Sequence, residues 1–222
     1  EIMPSLVGSE MCIRDRYDYP TADDWSFGKY MYRAMQAGEG LSGVFHAISE
    51  TLSQNVWEAR FSILILSALQ PAAFGEHFYR ITPYLMIGSV IVSQLLLIRE
   101  CIGGQEKENR LLVLPIGIPM AIFQILYCTN PEESFYWYNG SVNYTFVYSL
   151  SLILLVLYLE IGICKISKAK RAVFTILACL LAVLVGGNNF STSVSTMCLL
   201  LCLQILLSLI HISEPTRLGM IS

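Results

Sequence analysis

A polar and aromatic segment, residues 131–148, lies directly between two long apolar runs at 111–128 and 147–163. Each polar group stranded in the hydrocarbon of a bilayer costs several kcal/mol, so the chain must bring this segment to the membrane surface or to a polar site. An aromatic belt at headgroup depth accounts for its Trp and Tyr residues. The belt does not require the acidic and amide residues of the same segment, which a substrate-facing site would use. Both interpretations remain open from the sequence.

The composition places the chain among membrane proteins. It is 55% hydrophobic and only 14% charged, whereas soluble domains carry about 25% charged residues. The formal net charge of -3 gives no indication of nucleic-acid binding. We therefore expect a multi-pass protein of the cell membrane whose main partner is the lipid bilayer, with no nucleic-acid partner.

Spanning a bilayer takes about 20 apolar residues in a helix. Runs that reach or approach this length are 80–98, 111–128, 142–162, 172–187 and 194–210. A further run, 61–74, is shorter and ends at Gln70-Pro71, so it is a tilted span, a half-helix or a re-entrant element. The predicted fold is all-α, a transmembrane helical bundle of about 5–6 membrane segments with short amphipathic surface helices.

Residues 17–58 are too polar to span a membrane and predict two short amphipathic helices. The first apolar stripe is Phe27, Tyr30, Met31, Ala34 and Met35, and the second is Leu41, Val44, Phe45, Ile48 and Leu52. The helices lie on the membrane surface or beneath an outer lid; a soluble helical hairpin is the alternative. We assign 17–58 to an extracytoplasmic loop and 59–210 to the membrane bundle.

Both ends of the chain, 1–16 and 211–222, resemble read-through of sequencing-library sequence and do not continue the periodicity of their neighbours. We predict that they are non-native tails. The part between them is then expected to be a fragment that lacks a first membrane helix and a C-terminal portion. The six cysteines outside the tails show no metal-ligand spacing and are predicted to be small buried hydrophobic residues.

A basic loop sets the expected orientation. Lys165, Lys168, Lys170 and Arg171 lie close together without an acidic residue among them. By the positive-inside rule this loop is cytoplasmic, which places 129–141 outside. A re-entrant 61–74 would then place the preceding loop outside, and a full span would place it inside.

Adjacent carboxylates in that loop, Asp23 and Asp24, are the candidate catalytic residues. A lipid-linked phosphate needs cationic support, which Arg60 or Arg80 could give. An acceptor hydroxyl needs a general base, and a loop aspartate suits that role or that of a ligand to a divalent metal, the candidate cofactor. The alternative is that either aspartate caps a helix N-terminus. The candidate substrate-binding residues are Arg60, Arg80, Glu132, Glu133, Trp137, Tyr138, Asn139, Asn143 and Asn188.

Four segments carry a family resemblance: ADDWSFG at 22–28, LQPAAFGEHFYRIT at 69–82, ESFYWYNGSVNYTF at 133–146 and GGNNFSTS at 186–193. Together they resemble a bacterial family of polytopic membrane proteins catalogued as a domain of unknown function. That family is itself similar to the GT-C glycosyltransferases. The resemblance implies sugar transfer from a polyprenyl-phosphate carrier, with Asp23 or Asp24 as the acid of the first outer loop.

A different class of function also remains open. Gly186-Gly187 and Pro71 could break helices around a site near the middle of the bilayer, as in transporters. The alternatives to a glycosyltransferase are therefore a polytopic transporter or flippase, or a non-catalytic membrane scaffold.

Overall fold

The computed structural model describes residues 20–21, 23–103, 107–164 and 166–218, and all regular structure within these ranges is helical. The predicted all-α class is confirmed. The main helices are α1 Asp23–Ala37, α2 Gly40–Gln54, α3 Phe61–Ala68, α4 Thr82–Cys101, α5 Val113–Leu126, α6 Val147–Ile163, α7 Lys168–Gly186 and α8 Phe190–Leu218.

Shorter helical segments lengthen two of these helices. Two 3₁₀ segments, Pro71–Phe74 and Glu76–Ile81, lead into α4. The approach to α6 begins with a π-helical segment, Glu132–Tyr136, continues through a short α-helix, Tyr138–Ser141, and ends in a second π-helical segment, Val142–Phe146. π-Helical turns occur often at functional sites, and here both lie in the acidic and aromatic segment that the sequence singled out.

In the part of the chain that the structure describes, four helices are long and apolar enough to cross a membrane, which indicates a membrane protein. They are Glu76–Cys101, Tyr138–Ile163, Lys168–Gly186 and Phe190–Leu209. The apolar helices Phe61–Phe74 and Val113–Leu126 are shorter. Fourteen α-helical residues extend about 21 Å, less than the roughly 30 Å of a hydrocarbon core. Four helices of the described residues therefore have membrane length, and the total of 5–6 membrane segments stays a prediction.

Helices α4 and α6 run parallel, because three contacts join them in the same order along both. The Tyr138 backbone N–H donates to the Tyr79 hydroxyl at 2.9 Å, and the Gln94 amide donates to the Tyr148 hydroxyl at 3.1 Å. Arg99 then pairs with Glu160 at 2.8 Å. We call the two ends of the bundle the Tyr79 end and the Glu160 end. The chain between the two parallel helices returns through α5 from the Glu160 end to the Tyr79 end.

Helix α7 runs back to the Tyr79 end. Near its start, the Lys170 ammonium lies 3.0 Å from Glu160. Just after its end, the Gly187 carbonyl accepts a hydrogen bond from the Ser62 backbone N–H at 2.9 Å. This approach needs a glycine, because a Cβ on Gly187 would lie 2.3 Å from the Phe61 ring.

The short helix α3 begins and ends at the Tyr79 end. Ser62, in its first turn, contacts Gly187, and near its other end the Leu66 carbonyl accepts from the Tyr138 hydroxyl at 3.0 Å. Pro71 starts the next 3₁₀ segment and so prevents α3 from continuing. Helix α3 is too short for a full span of the membrane, and the re-entrant course of 61–74 stays a prediction beside the half-helix.

Helices α1 and α2 are the two predicted short helices, and Gly38 and Gly40, both with positive φ (70° and 61°), lie where the chain turns between them. On α1 the expected stripe is partly right, since Met31 and Ala34 are buried. On α2 the expected stripe is also partly right, since Val44 and Ile48 pack against the cluster of Met31 and Ala34. Leu41 and Phe45 are 79% and 72% exposed. The small residues Gly43, Ala47 and Thr51 are buried and let the two helices approach closely.

The predicted tail 1–16 lies outside the described residues. At the other end α8 continues past the predicted boundary at 210 to Leu218. The expectation that the cysteines are buried is wrong for the chain by itself. Of the free cysteines described, four are exposed (Cys101, Cys179, Cys198, Cys202) and two are half-buried (Cys128, Cys164). The four exposed cysteines lie on faces that no other described part of the chain covers, where an apolar thiol suits a lipid environment.

Candidate functional site

A polar cavity of about 450 Å³ opens at the Tyr79 end. Its wall is formed by the start of α1, the segment after α2, helix α3 and the π-helical approach to α6. Four charged side chains line it: Asp23, Glu58, Arg60 and Glu133. Three amides, Asn55, Asn139 and Asn143, and the aromatic residues Trp57, Trp137 and Tyr144 complete most of the polar lining. Carboxylates, amides and aromatic rings around one cavity can bind a ligand with many hydroxyl groups.

The only guanidinium among the described cavity residues is held from two sides. The Arg60 Nε lies 2.5 Å from the Glu58 carboxylate, and Arg60 Nη1 donates to the Asn143 side-chain oxygen at 3.2 Å. The hydrogen bond from Arg60 lowers the pKa of Glu58, and the same bond raises the pKa of Arg60. Both groups therefore stay charged near neutral pH, so the carboxylates of Asp23 and Glu133 give the cavity an acidic balance.

Asp24 is buried behind the cavity wall and does not line the cavity. It is 1% exposed, and its carboxylate accepts hydrogen bonds from the Tyr79 hydroxyl at 2.6 Å and the Asn139 backbone N–H at 3.0 Å. It also accepts from the Thr21 backbone N–H at 3.3 Å, a hydrogen bond back over three residues like that of a capping box. Burial outweighs these hydrogen bonds and raises the pKa of the Asp24 carboxyl. Asp24 therefore ties α1 to the rest of the Tyr79 end.

The wall around Asn139 is fixed by further hydrogen bonds. The Ser67 hydroxyl donates to the Asn139 side-chain oxygen at 2.6 Å, and the Tyr138 hydroxyl donates to the Leu66 carbonyl of α3. Next to them, the indole N–H of Trp137 is buried and has no hydrogen-bond partner among the described residues. A buried donor without a partner costs about 1–3 kcal/mol. Because Trp137 lines the cavity, a ligand oxygen is a suitable acceptor for this N–H.

The cavity brings together six of the residues predicted from the sequence: Asp23, Arg60, Glu133, Trp137, Asn139 and Asn143. The others lie elsewhere. Tyr138 is buried in the core beside Tyr79, and Glu132 and Arg80 are exposed outside the cavity lining. Asn188 is 1% exposed, and its amide has no hydrogen-bond partner in the described part of the chain.

Sequence reasoning missed Glu58 and its neighbours Asn55 and Trp57. The signal was present, because a carboxylate two residues before Arg60, at the entry of an apolar run, is positioned to pair with it. Asn55 donates to the Thr51 carbonyl at 2.7 Å and ends α2 there. The chain then turns, and this turn brings Glu58 to the cavity.

The described residues contain no group of three or more His, Cys, Asp or Glu side chains that could hold a metal ion. The chain matches no protein-family model, no curated protein and no solved structure. The family resemblance seen in the sequence therefore stays a prediction, and the functional argument rests on the cavity itself.

Proposed function

We propose that the chain is part of a multi-pass protein of the bacterial cell membrane, with the Tyr79 end outside and the Glu160 end in the cytoplasm. Two observations support this. The parallel course of α4 and α6 requires the chain to return through α5, which acts as a fifth membrane segment despite its short helix. The basic residues Lys168, Lys170 and Arg171 lie at the Glu160 end, where the positive-inside rule favours the cytoplasm.

We further propose that the protein is a GT-C-like glycosyltransferase, which moves a sugar from a polyprenyl-phosphate donor to an acceptor at the outer face. The observation that carries this proposal is the polar cavity at the Tyr79 end. Its carboxylates and amides are suited to hydrogen-bonding sugar hydroxyls, and Trp57 and Trp137 offer flat apolar surfaces to a sugar ring. A lipid-linked donor would reach such a cavity along the membrane surface.

In this proposal the hydroxyl oxygen of the acceptor attacks the anomeric carbon of the donor sugar. The bond from that carbon to the phosphate oxygen breaks, and polyprenyl phosphate leaves with the electron pair. Asp23 accepts the proton of the acceptor hydroxyl as general base. Arg60 offers its guanidinium to the phosphate oxygens. Asp24 takes no part in this reaction, since its carboxylate is buried and accepts hydrogen bonds from Tyr79 and Asn139.

The test is a transfer assay with the purified protein in lipid vesicles. Polyprenyl-phosphate-linked hexoses are supplied as donors, and released polyprenyl phosphate is measured by mass spectrometry. Asp23→Asn should lower transfer by about 10²-fold or more, the usual scale for loss of a general base. Glu133→Gln should weaken transfer through lost substrate contacts, and Glu132→Gln is its matched control, because Glu132 is exposed outside the cavity lining.

Full activity of Asp23→Asn would remove this residue from the reaction. A folded wild-type protein that transfers none of the sugars would contradict the proposed chemistry. If that protein moved the lipid-linked sugar between the two leaflets of the vesicle, the flippase alternative would be favoured instead.

A further inference from the structure

A second, smaller pocket lies on the other side of α1. Its volume is about 200 Å³. Asp23, Ser26 and Phe27 line the large cavity, whereas Trp25, Lys29 and Tyr32 line this second pocket. Successive residues of an α-helix point in directions about 100° apart, so one helix can serve two pockets. The proposed glycosyl transfer does not use this second pocket.

The mouth of the pocket is cationic. Lys29 and Arg33 lie one helical turn apart on α1 and both line the pocket. The Lys29 ammonium lies 4.8 Å from the centre of the Tyr30 ring, which holds it beside α1. Asp24, the one carboxylate among the described lining residues, accepts hydrogen bonds from Tyr79 and other groups, and burial raises its pKa. An anion at Lys29 and Arg33 therefore lies beside two cations, and the Asp24 carboxyl is already hydrogen-bonded to the protein.

The floor of the pocket holds a buried acceptor that lacks a donor. Gln70 is 2% exposed, and its amide nitrogen donates to the Asp24 carbonyl. Its side-chain oxygen is buried and has no hydrogen-bond partner among the described residues. The amide packs directly on Gly28, where an added Cβ would lie 1.9 Å from the amide nitrogen. The oxygen of Gln70 is therefore held in place and would accept a hydrogen bond from a ligand hydroxyl.

The pocket lies close to the membrane boundary. Ala72 and Ala73 form part of its floor, and the 3₁₀ segments that contain them lead into the membrane-length helix Glu76–Cys101. Phe74 and Phe78, in the same segments, are exposed. Trp25 and Tyr32 at the mouth are also exposed, and such aromatic residues are typical of headgroup depth.

We propose that this second pocket binds a hydroxylated phosphate ester of the glycerophosphate type. The phosphate lies between Lys29 and Arg33, and a hydroxyl of the ester donates to the Gln70 side-chain oxygen. Two sources present this chemistry: the headgroup of an anionic phospholipid such as phosphatidylglycerol, and free glycerol phosphate. The proposal is independent of the proposed sugar transfer.

Binding is measured by native mass spectrometry on the full chain, purified in detergent and titrated with single lipids. We expect phosphatidylglycerol to bind at least about tenfold more tightly than phosphatidylcholine, because charge-assisted hydrogen bonds to its anionic headgroup are the strong ones. Arg33→Gln and Lys29→Gln should each weaken phosphatidylglycerol binding by about tenfold. Arg171→Gln is the matched control, because it removes an exposed cation from the Glu160 end and should leave this binding unchanged.

The role of Gln70 is tested by comparing phosphatidylglycerol with phosphatidic acid, which has the phosphate without the glycerol hydroxyls. The wild type should prefer phosphatidylglycerol, and Gln70→Met should lose that preference. If Gln70→Met does not fold, the Lys29→Gln and Arg33→Gln variants still test whether the pocket binds the phosphate. Competition by soluble glycerol phosphate would identify the free ester as the ligand, and its absence would identify the lipid headgroup. Equal binding of phosphatidylglycerol and phosphatidylcholine would overturn the proposal. Unchanged binding of phosphatidylglycerol in both the Lys29 and Arg33 variants would do the same.

Discussion

Replacing Asp24 by alanine should destabilise the Tyr79 end, although the residue is acidic and its burial is unfavourable. The carboxylate accepts hydrogen bonds from the Tyr79 hydroxyl, the Asn139 backbone N–H and the Thr21 backbone N–H. Tyr79 and Asn139 are buried, so water cannot replace the lost acceptor, whereas Thr21 is partly exposed. Asp24→Ala thus leaves two buried donors without a partner.

The magnitude follows from these two donors. Each buried donor left without an acceptor costs about 1–3 kcal/mol. Removing the buried carboxyl offsets part of this free-energy cost, because burial disfavours the charged form of Asp24. We expect a net loss of about 2–4 kcal/mol in the free energy of unfolding. For a chain of 150–250 residues each kcal/mol shifts Tm by roughly 2–4 °C, so the shift should be on the order of 5–15 °C.

Thermal unfolding in detergent, followed by intrinsic fluorescence, is the assay, and Asp23→Ala is the matched neighbour. Asp23 is exposed and lines the cavity, so its loss should change the free energy of unfolding by less than about 1 kcal/mol. Tyr79→Phe should destabilise the protein and should not add fully to Asp24→Ala, since both remove the same hydrogen bond. Equal Tm values for Asp23→Ala and Asp24→Ala would refute the reasoning.

The same carboxyl predicts a dependence on pH. Burial raises the pKa of Asp24 in the folded protein above its ordinary value of 3.8. A group of this kind contributes its full stability below the unfolded-state pKa, and the contribution is lost as the pH rises through the folded-state pKa. The wild type should therefore lose stability relative to Asp24→Asn as the pH rises above 3.8. A difference in Tm that stays constant over this range would contradict the assignment.

Two further predictions concern the Glu160 end and the orientation. Glu160 is 4% exposed and pairs with Arg99 and Lys170. Glu160→Gln should cost about 1–3 kcal/mol, because Lys170 loses this ion pair and Arg99 keeps, among the described residues, only its pair with Glu100. An unchanged Tm would show that the pairs contribute nothing. On a cysteine-free background, Asn130→Cys should react with an impermeant maleimide in intact cells and Ala169→Cys only after permeabilisation. The reverse pattern would invert the orientation.

The sequence predicted the membrane-length helices well, because their signal is local. A run of about 20 apolar residues has few alternatives to a membrane helix, and 80–98 and 142–162 both lie within helices of 26 residues. The run 111–128 is the exception, since the α-helix covers only Val113–Leu126. Hydropathy alone does not report where a helix ends.

The division of roles between Asp23 and Asp24 could not be predicted from the sequence. It depends on Tyr79 and Asn139, which lie 55 and 115 residues from Asp24 along the chain. Contacts of this kind leave no periodic signal. The exposure of Leu41 and Phe45 on α2 has a similar cause, because the small residues Gly43 and Ala47 pack against α1 only once the two helices have come together.

The neighbouring positions of the two aspartates also determine how their variants must be read. The hydrogen bonds from Tyr79 and Asn139 to the buried Asp24 fix the start of α1. They thereby also fix Asp23, one residue earlier, at the cavity. An Asp24 variant would therefore displace Asp23 and lower any transfer activity without itself being a base. An Asp23 variant leaves the network of Asp24 intact. Loss of activity at an unchanged Tm identifies a residue that acts in the cavity, and loss of both identifies one that holds the cavity wall, so each variant needs both measurements.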